Sequence, residues 1–251
     1  MLSTNTQVPS SEKLVSEMFN RIAPRYDLLN QLLSFRQDLK WRKHLVQKIP
    51  YSPNGVYVDV ATGTGDVLIA AAKERTEFSS FIGVDISESM LRIASEKCSR
   101  QITEVPLEFK IQSAERLSMA ADSTDCLSIS FGLRNVINKQ TAIEEFHRVL
   151  KPRGTLLILE FFKPQNSVLS WFFRLYFHYI LPVIGGMISD RSAYTYLPES
   201  VEGFYSPFQL NEVLRETGFI VRAHKNFLFG GCRLISAQKP ERELYDVTSE
   251  K

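Results

Sequence analysis

The sequence predicts a doubly wound α/β fold: a mostly parallel sheet of seven strands with one antiparallel edge strand, preceded by helices. From residue 56 to residue 162, short β-branched apolar runs alternate with amphipathic helical runs. The two final runs of strand character follow each other without a helix between them, which indicates a closing hairpin. The 251 residues suffice for one such domain with an insertion.

The first part of the chain, residues 1–50, is expected to form an N-terminal helical cap. Apolar residues recur at helical spacing over residues 14–33. Pro24 should divide this stretch into two helices, because proline has no N–H to donate within a helix. A third helix is expected at about residues 37–49.

Residues 51–162 are expected to form the core of the fold. The predicted strands have the sequences VYVDVA, SFIGVDI, PLEFKIQS, CLSISFGL and TLLILEFF, and the predicted helices are DVLIAAAKER, ESMLRIASEKCSR and TAIEEFHRVLK. Parallel strands need long crossover connections, which these helices supply. The helix SPFQLNEVLRETG and the hairpin strands complete the core over residues 207–240, and residues 241–251 form a polar tail.

An aromatic run, SVLSWFFRLYFHYILPVIGGMI, interrupts the alternation at residues 167–188. Arg174 and Pro182 argue against a membrane-spanning helix, since a charge in mid-span is costly. A helix of the soluble core is one alternative. We favour an insertion over residues 163–206 that covers an apolar substrate as a lid and could also contact the membrane interface.

The composition excludes several classes of function. The net charge of +2 is too balanced to indicate a nucleic-acid partner. The three cysteines, Cys98, Cys126 and Cys232, are widely spaced with no metal-ligand motif, so we expect buried thiols and no metal site. The N-terminal residues have no apolar segment typical of a secretory signal, which favours a cytoplasmic protein.

The stretch DVATGTGDV, residues 59–67, places two glycines between a predicted strand and a predicted helix. Backbone N–H groups at such a helix start can contact a nucleotide. The dinucleotide pattern G-x-G-x-x-G is incomplete, because Leu68 stands at the third glycine position after Gly63 and Gly65. No GK[ST] follows either, so this is not a phosphate-binding loop of the Walker type.

Two carboxylates indicate which nucleoside the loop holds. Asp85, at the end of the next strand, can accept hydrogen bonds from both ribose hydroxyls. Asp59, ahead of the glycines, can either hold the loop or accept from a positively charged amino acid group. A nucleoside that carries an amino acid and no pyrophosphate is S-adenosylmethionine. In the alternative interpretation, the glycines serve only the geometry of the turn.

The ends of the third and fourth strands should complete this site. Ser113 and Ala114 follow the third strand, where the loop lies beside the adenine in this fold. Ser130, Arg134 and Asn135 follow the fourth strand and face the crevice in which open α/β sheets bind ligands. Arg134 and Asn135 could instead cap the loop.

The chain resembles the ubiquinone/menaquinone biosynthesis C-methyltransferases, a branch of the class I S-adenosylmethionine-dependent methyltransferases. The resemblance rests on MFNRIAPRYDLLNQLLSFRQDLKWRK, VDVATGTGDV, VDISESML, SAERL, ISFGLRNV, RVLKPRGTLLILEFFKP and YTYLPESVEGF, in this order. It implies donor-binding roles for Thr64, Asp85, Ser113, Ala114 and Ser130. Two departures are small: KPRG replaces a commoner KPGG, and Arg36 stands where glycine is frequent.

The resemblance also implies the acceptor, a demethylated polyprenyl quinol that is methylated on a ring carbon. Demethylmenaquinol is the usual acceptor, and some relatives also methylate the methoxybenzoquinol precursor of ubiquinone. Arg134 is our candidate for the cation beside the developing quinolate oxygen, and Asn135 for orienting a ring oxygen. Tyr26 and Asp27 are candidates for positioning the ring or accepting its proton, although each could equally serve helix packing or capping.

Two rival interpretations stay open at this point. The chain could be another class I methyltransferase, acting on a sterol, a phospholipid or a phenol. It could also be an assembly partner that keeps the donor pocket without activity. We further expect that the chain could form a homodimer and could bind the inner face of the membrane peripherally.

Overall fold

The helical cap has the break that the sequence predicted. The computed structural model describes residues 10–102, 105–163, 175 and 191–241. The cap consists of α1 (Ser10–Ile22), a 3-10 turn (Ala23–Arg25), α2 (Tyr26–Leu33) and α3 (Gln37–Val46). Pro24 lies in the 3-10 turn, so α1 and α2 are separate helices. The third helix ends earlier than predicted, and a turn follows it.

The seven strands form one sheet. They are β1 (Val56–Val60), β2 (Ser80–Asp85), β3 (Leu107–Ile111), β4 (Thr124–Ser130), β5 (Leu150–Phe161), β6 (Ile220–Phe227) and β7 (Cys232–Gln238), in the order β3-β2-β1-β4-β5-β7-β6. The predicted parallel sheet with its antiparallel hairpin is confirmed. In one detail the arrangement differs: the antiparallel strand is β7, which pairs with β5 on one side and β6 on the other, so β6 occupies the edge.

The described residues form five further helices: α4 (Asp66–Glu74), α5 (Glu88–Gln101), α6 (Lys139–Val149), α7 (Arg191–Glu202) and α8 (Pro207–Glu216). Side-chain caps fix where several of them start, because the first N–H groups of a helix have no partner within it. Ser87 caps α5, Asn138 caps α6, and Ser206 with Gln209 forms a capping box on α8.

The sheet positions a crevice between β1 and β4. The chain passes from β1 to β2 on one side, whereas β4 leads to β5 on the other, so the strand order reverses at this point. Open α/β sheets bind their ligands at such a reversal, beyond the carboxyl ends of the strands. The glycine loop follows β1 at this same edge.

The two departures from the family pattern lie at strained backbone positions. Arg36 precedes α3 with φ +60°, and Arg153, in the KPRG turn, has φ +67°. In this left-handed region a side chain is strained and glycine is not. Glycine would therefore be the less strained residue at both positions.

The aromatic insertion is described only in part. Residues 164–174 and 176–190, and with them nearly all of the segment 167–188, lie outside the described residues, so the lid and its membrane contact stay predictions. α7 is described, and it lies against α1 and against the turn that follows β4. The three cysteines are free and buried, as expected.

Candidate active site

A cavity that is open to solvent lies at the carboxyl edge of the sheet. Its floor consists of the loops that follow β1 to β4, and its roof of α1 and the start of α2. Of the predicted site residues, the cavity is lined by Tyr26, Gly63, Asp85, Ser113, Ala114, Ser130 and Asn135. The predicted residues Asp27, Asp59, Thr64, Gly65 and Arg134 are not among its lining residues.

Asp85 lies on the floor of the cavity at the end of β2. Its Oδ2 accepts from the Gly63 N–H at 2.8 Å and its Oδ1 from the Ser87 N–H at 2.8 Å. Each carboxylate oxygen has a second lone pair, so the group can still accept from two hydroxyls of a ligand. Burial raises the pKa of Asp85, and the backbone hydrogen bonds counter this.

Asp59 lies beneath the glycine loop and is almost fully buried. It accepts hydrogen bonds from the hydroxyls of Thr62 and Ser128, and burial raises its pKa to about 6. Of the two roles that the sequence left open, these contacts favour holding the loop. Gly65 (φ +83°) allows a close approach to α5, since a Cβ there would lie 3.0 Å from the Cβ of Ala94.

A charged network connects the glycine loop to the helical cap. The Thr64 hydroxyl donates to Asp27 Oδ1, and Lys97 Nζ donates to Asp27 Oδ2 at 2.8 Å. Lys97 and Arg42 both pair with Asp66 at the start of α4. Burial lowers the pKa of Lys97, but Asp66 and Asp27 outweigh it, and the net shift is upward. These contacts favour a structural role for Asp27.

The loop after β3 meets a residue that the sequence analysis did not select. The Ser113 hydroxyl donates to Glu12 Oε1 of α1 at 2.5 Å and accepts from the Glu115 N–H. Glu12 is 7% exposed and lines the cavity. Ala114, next to Ser113, is buried in the same wall.

The turn after β4 contributes two unpaired polar atoms. Within the described part of the chain, Ser130 Oγ and Asn135 Oδ1 are buried without a hydrogen-bond partner. Both residues line the cavity. Buried polar atoms are rarely left unsatisfied in folded proteins, so these two atoms point to a ligand that supplies their partners.

Arg134 is not among the residues that line the cavity, and its hydrogen bonds go to other parts of the fold. Its Nη1 donates to Glu160 Oε1 at 2.7 Å and to the Phe131 carbonyl, and its Nε donates to Ser200 of α7 at 3.2 Å. The side chains of Arg134 and Glu160 are 8% and 0% exposed. The guanidinium therefore holds the turn after β4 and attaches it to β5 and α7.

Several residues that line the cavity were missed by the sequence analysis. They are Glu12, Val15, Phe19, Ala61, Ile86, Met90, Gln112, Phe131, Gly132 and Val136. The three on α1 share one face, since their spacing of three and four residues matches the helical repeat. This spacing was a usable signal, but Glu12 precedes residues 14–33, on which the helical prediction rested.

Comparison with known proteins decides the family. The sequence model of the ubiE/COQ5 methyltransferase family matches residues 6–239. A relative from Syntrophotalea carbinolica, the ubiquinone/menaquinone biosynthesis C-methyltransferase UbiE, is 45% identical over 86% of this chain and 92% of its own. The demethylmenaquinone methyltransferase of Thermus thermophilus is 40% identical over 89% and 100%. The chain belongs to the ubiE/COQ5 methyltransferase family.

Solved structures agree with the fold of this family member. The [4+2]-cyclase SpnF superposes with a TM-score of 0.70 at 16% identity, over 96% of this chain and 100% of its own. An S-adenosylmethionine-dependent methyltransferase from Aquifex aeolicus gives 0.58 at 17% identity, over 79% and 89%. At such identities the likeness concerns the fold alone, and it confirms the predicted class I methyltransferase architecture.

As a ubiE/COQ5 family member, the chain is an S-adenosylmethionine-dependent C-methyltransferase, and the predicted enzyme class and cofactor are confirmed. The residues present fit this donor: Asp85 has lone pairs for ribose hydroxyls, Gly63 leaves space for a nucleoside, and Ser130 has a free hydroxyl. In the described residues, no group of three His, Cys, Asp or Glu side chains could hold a metal, and no helix is long and apolar enough to cross a membrane.

Proposed function

We propose that the enzyme methylates a ring carbon of a demethylated polyprenyl quinol in respiratory quinone biosynthesis, with demethylmenaquinol as the acceptor and menaquinol as the product. The names of the two relatives support this proposal: one names both quinone pathways and the other names demethylmenaquinone. The methoxybenzoquinol of the ubiquinone pathway is the alternative acceptor, and the experiment below separates the two.

The observation that carries the proposal is the chemistry of the cavity end beside the turn after β4. Phe131 and Val136 of this turn, together with Phe19 and Tyr26 of the cap, give the cavity apolar and aromatic lining. Asn135 also lines the cavity, and among the described residues its buried Oδ1 has no hydrogen-bond partner. An aromatic ring that carries a hydroxyl matches such a surface, because its faces pack on the wall while its O–H donates to the amide oxygen.

Asp85, Ser113, Ala114 and Ser130 would hold the donor across the floor, with Gly63 giving its nucleoside room. S-adenosylmethionine supplies an electrophilic methyl group when it is bound. The chain itself must align the ring carbon with this methyl and exclude water, and the roof of α1 and α2 serves both purposes.

Tyr26 would act on the acceptor as a hydrogen-bond donor. Burial raises its pKa above the ordinary value of 10.0, so the phenol keeps its proton at neutral pH. Asn135 Oδ1 would accept from a ring hydroxyl and fix its orientation. Arg134 would be a positioning residue rather than a catalytic one, because its hydrogen bonds go to Glu160, Phe131 and Ser200.

Access to the acceptor requires contact with lipid, because a polyprenyl chain partitions into the bilayer. We therefore propose a lid over residues 163–206 and a peripheral contact of residues 167–188 with the cytoplasmic face of the membrane. A homodimer is a separate proposal. Flotation of the purified protein with quinone-containing liposomes tests the membrane contact, and protein that stays wholly in solution contradicts it.

The acceptor is tested with purified enzyme, methyl-labelled donor and two reduced acceptors, demethylmenaquinol and the demethylated methoxybenzoquinol. We expect faster label transfer to the carbon of the first. Asn135→Ala should lower turnover at least tenfold and leave the donor affinity unchanged. The matched control Asn226→Ala, at an exposed position of β6, should leave both turnover and donor affinity unchanged. Label in neither acceptor would refute the proposal, and a preference for the second would select the alternative.

A further inference from the structure

The first helix places a buried carboxylate at the part of the cavity where a nucleobase belongs. Asp85, which would hold the ribose, ends β2, and the next strand outward is β3. A base attached to this ribose therefore reaches the wall formed by Ile86, Met90, Ser113 and Ala114.

Glu12 reaches this wall from across the cavity. Glu12 and Ser113 are 101 positions apart in sequence, yet the Ser113 hydroxyl donates a hydrogen bond of 2.5 Å to Glu12 Oε1. α1 is fixed in this place by two further contacts: Ser16 donates to the Ile86 carbonyl at 2.9 Å, and Asn20 accepts from the Ser87 hydroxyl at 2.7 Å. Helix α1 thus holds the Glu12 carboxylate beside the position expected for the nucleobase.

A buried carboxylate against this wall needs a reason, because burial of a charged group is costly without partners. The hydroxyl of Ser113 supplies one hydrogen bond, and an ionised carboxylate can accept about four. Adenine presents an exocyclic amino group with two N–H donors at its outer edge, whereas hypoxanthine presents a carbonyl oxygen there.

We infer that Glu12 selects adenine as the base of the donor by accepting a hydrogen bond from its exocyclic amino group. α1 is then a part of the donor site that reads the base. A ligand with a carbonyl at this position places two acceptors against each other, and it is rejected because neither can supply a proton.

The test compares S-adenosylhomocysteine with S-inosylhomocysteine, in which a carbonyl oxygen replaces the amino group and the neighbouring ring nitrogen N1 carries a proton. Both have a neutral sulfur, so an attraction between Glu12 and a sulfonium plays no part. By calorimetry the wild-type enzyme should bind the adenosyl ligand at least tenfold more tightly. Glu12→Gln should bring the two affinities within about threefold, since an amide can either accept from the amino group or donate to the carbonyl.

The matched control is Glu17→Gln, the same chemical change at an exposed position of α1, which should leave the tenfold preference unchanged. Retained affinity of Glu12→Gln for the inosyl ligand shows that the variant is folded. Two results would overturn the inference: wild-type affinities within threefold of each other, or a Glu12→Gln variant that keeps the wild-type preference. If Glu12→Gln weakens the binding of both ligands by the same factor, the preference is unchanged and the inference is overturned as well. No acceptor is present, so the outcome is independent of the proposed quinol.

Discussion

The pair of Arg134 and Glu160 allows the sharpest test of how the turn after β4 is held. We consider Glu160→Ala, which removes the carboxylate and leaves the guanidinium in place. In the wild-type chain Glu160 accepts from Arg134 Nη1 at 2.7 Å, from the Arg134 backbone N–H at 3.3 Å and from the Phe161 N–H at 2.8 Å. The substitution therefore leaves one buried cation and two backbone donors without this partner.

The expected loss is large because both side chains are almost completely buried. Removing one partner of a buried ion pair typically costs about 3–5 kcal/mol, mainly because a charge stays buried without compensation. In a chain of this size each kcal/mol lowers Tm by about 2–4 °C. We thus expect Tm to fall by roughly 6–20 °C. Turnover measured well below the new Tm should also fall, because Asn135 lies in the turn that Arg134 holds.

The assay is urea denaturation of four proteins: wild type, Glu160→Ala, Arg134→Met, and Arg134→Met with Glu160→Leu. The doubly substituted chain should be more stable than either single variant, because it buries no unpaired charge. If Glu160→Ala stayed within 1 kcal/mol of wild type, our account of the pair would be refuted. If Arg134→Met lost turnover but no stability, direct contact of Arg134 with the acceptor, as first predicted, would be the better explanation.

Three shorter predictions concern residues at or beneath the cavity. Asp85→Ala should weaken S-adenosylhomocysteine binding at least tenfold in calorimetry, because the ribose hydroxyls and the Gly63 N–H lose their acceptor. If the variant bound this ligand with wild-type affinity, the proposed site would be contradicted. Gly132→Ala should lower stability by about 1–3 kcal/mol in urea denaturation, because its Cβ would lie 2.4 Å from that of Ala61, and Ala61→Gly in the same chain should restore much of the loss. Asp59 has a pKa raised to about 6 from 3.8, so its contribution to stability is present below pH 3.8 and is lost as the pH rises through 6. As the pH rises from 4 to 7, the free energy of unfolding of Asp59→Asn should therefore increase by up to about 3 kcal/mol relative to that of the wild type. A difference between the two proteins that does not change with pH would contradict this.

Local sequence patterns were enough to predict the sheet and most helices. Alternating runs of strand and helix character, and the proline at position 24, act over a few residues, so they can be read directly from the chain. Arg36 and Arg153 are instructive, because both adopt a positive φ at positions where the sequence analysis noted only a small departure from a glycine pattern. The positive φ at these positions was not predicted, although a glycine pattern is a usable signal for it.

Contacts between distant segments were harder to predict. Arg134 was assigned to the acceptor because it follows β4. However, β5 lies beside β4, and Glu160 near the end of β5 forms an ion pair with Arg134. The register of neighbouring parallel strands could have suggested this pair. The contact between Glu12 and Ser113 could not be inferred in this way, because the position of α1 over the cavity depends on tertiary packing alone.

The helical cap belongs to the proposed donor site, because it touches the sheet's loops at three separate places. Glu12 contacts the loop after β3, Asn20 contacts the start of α5 after β2, and Asp27 contacts the glycine loop after β1. These loops follow three adjacent strands and form part of the floor of the cavity. Because α1 and α2 together contact all three loops, the proposed donor pocket is a joint product of the cap and the sheet, whereas the acceptor end depends on β4, β5 and α7. The glycine loop indicates that a nucleoside binds, and the cap, through Glu12, gives the pocket its means of selecting the base.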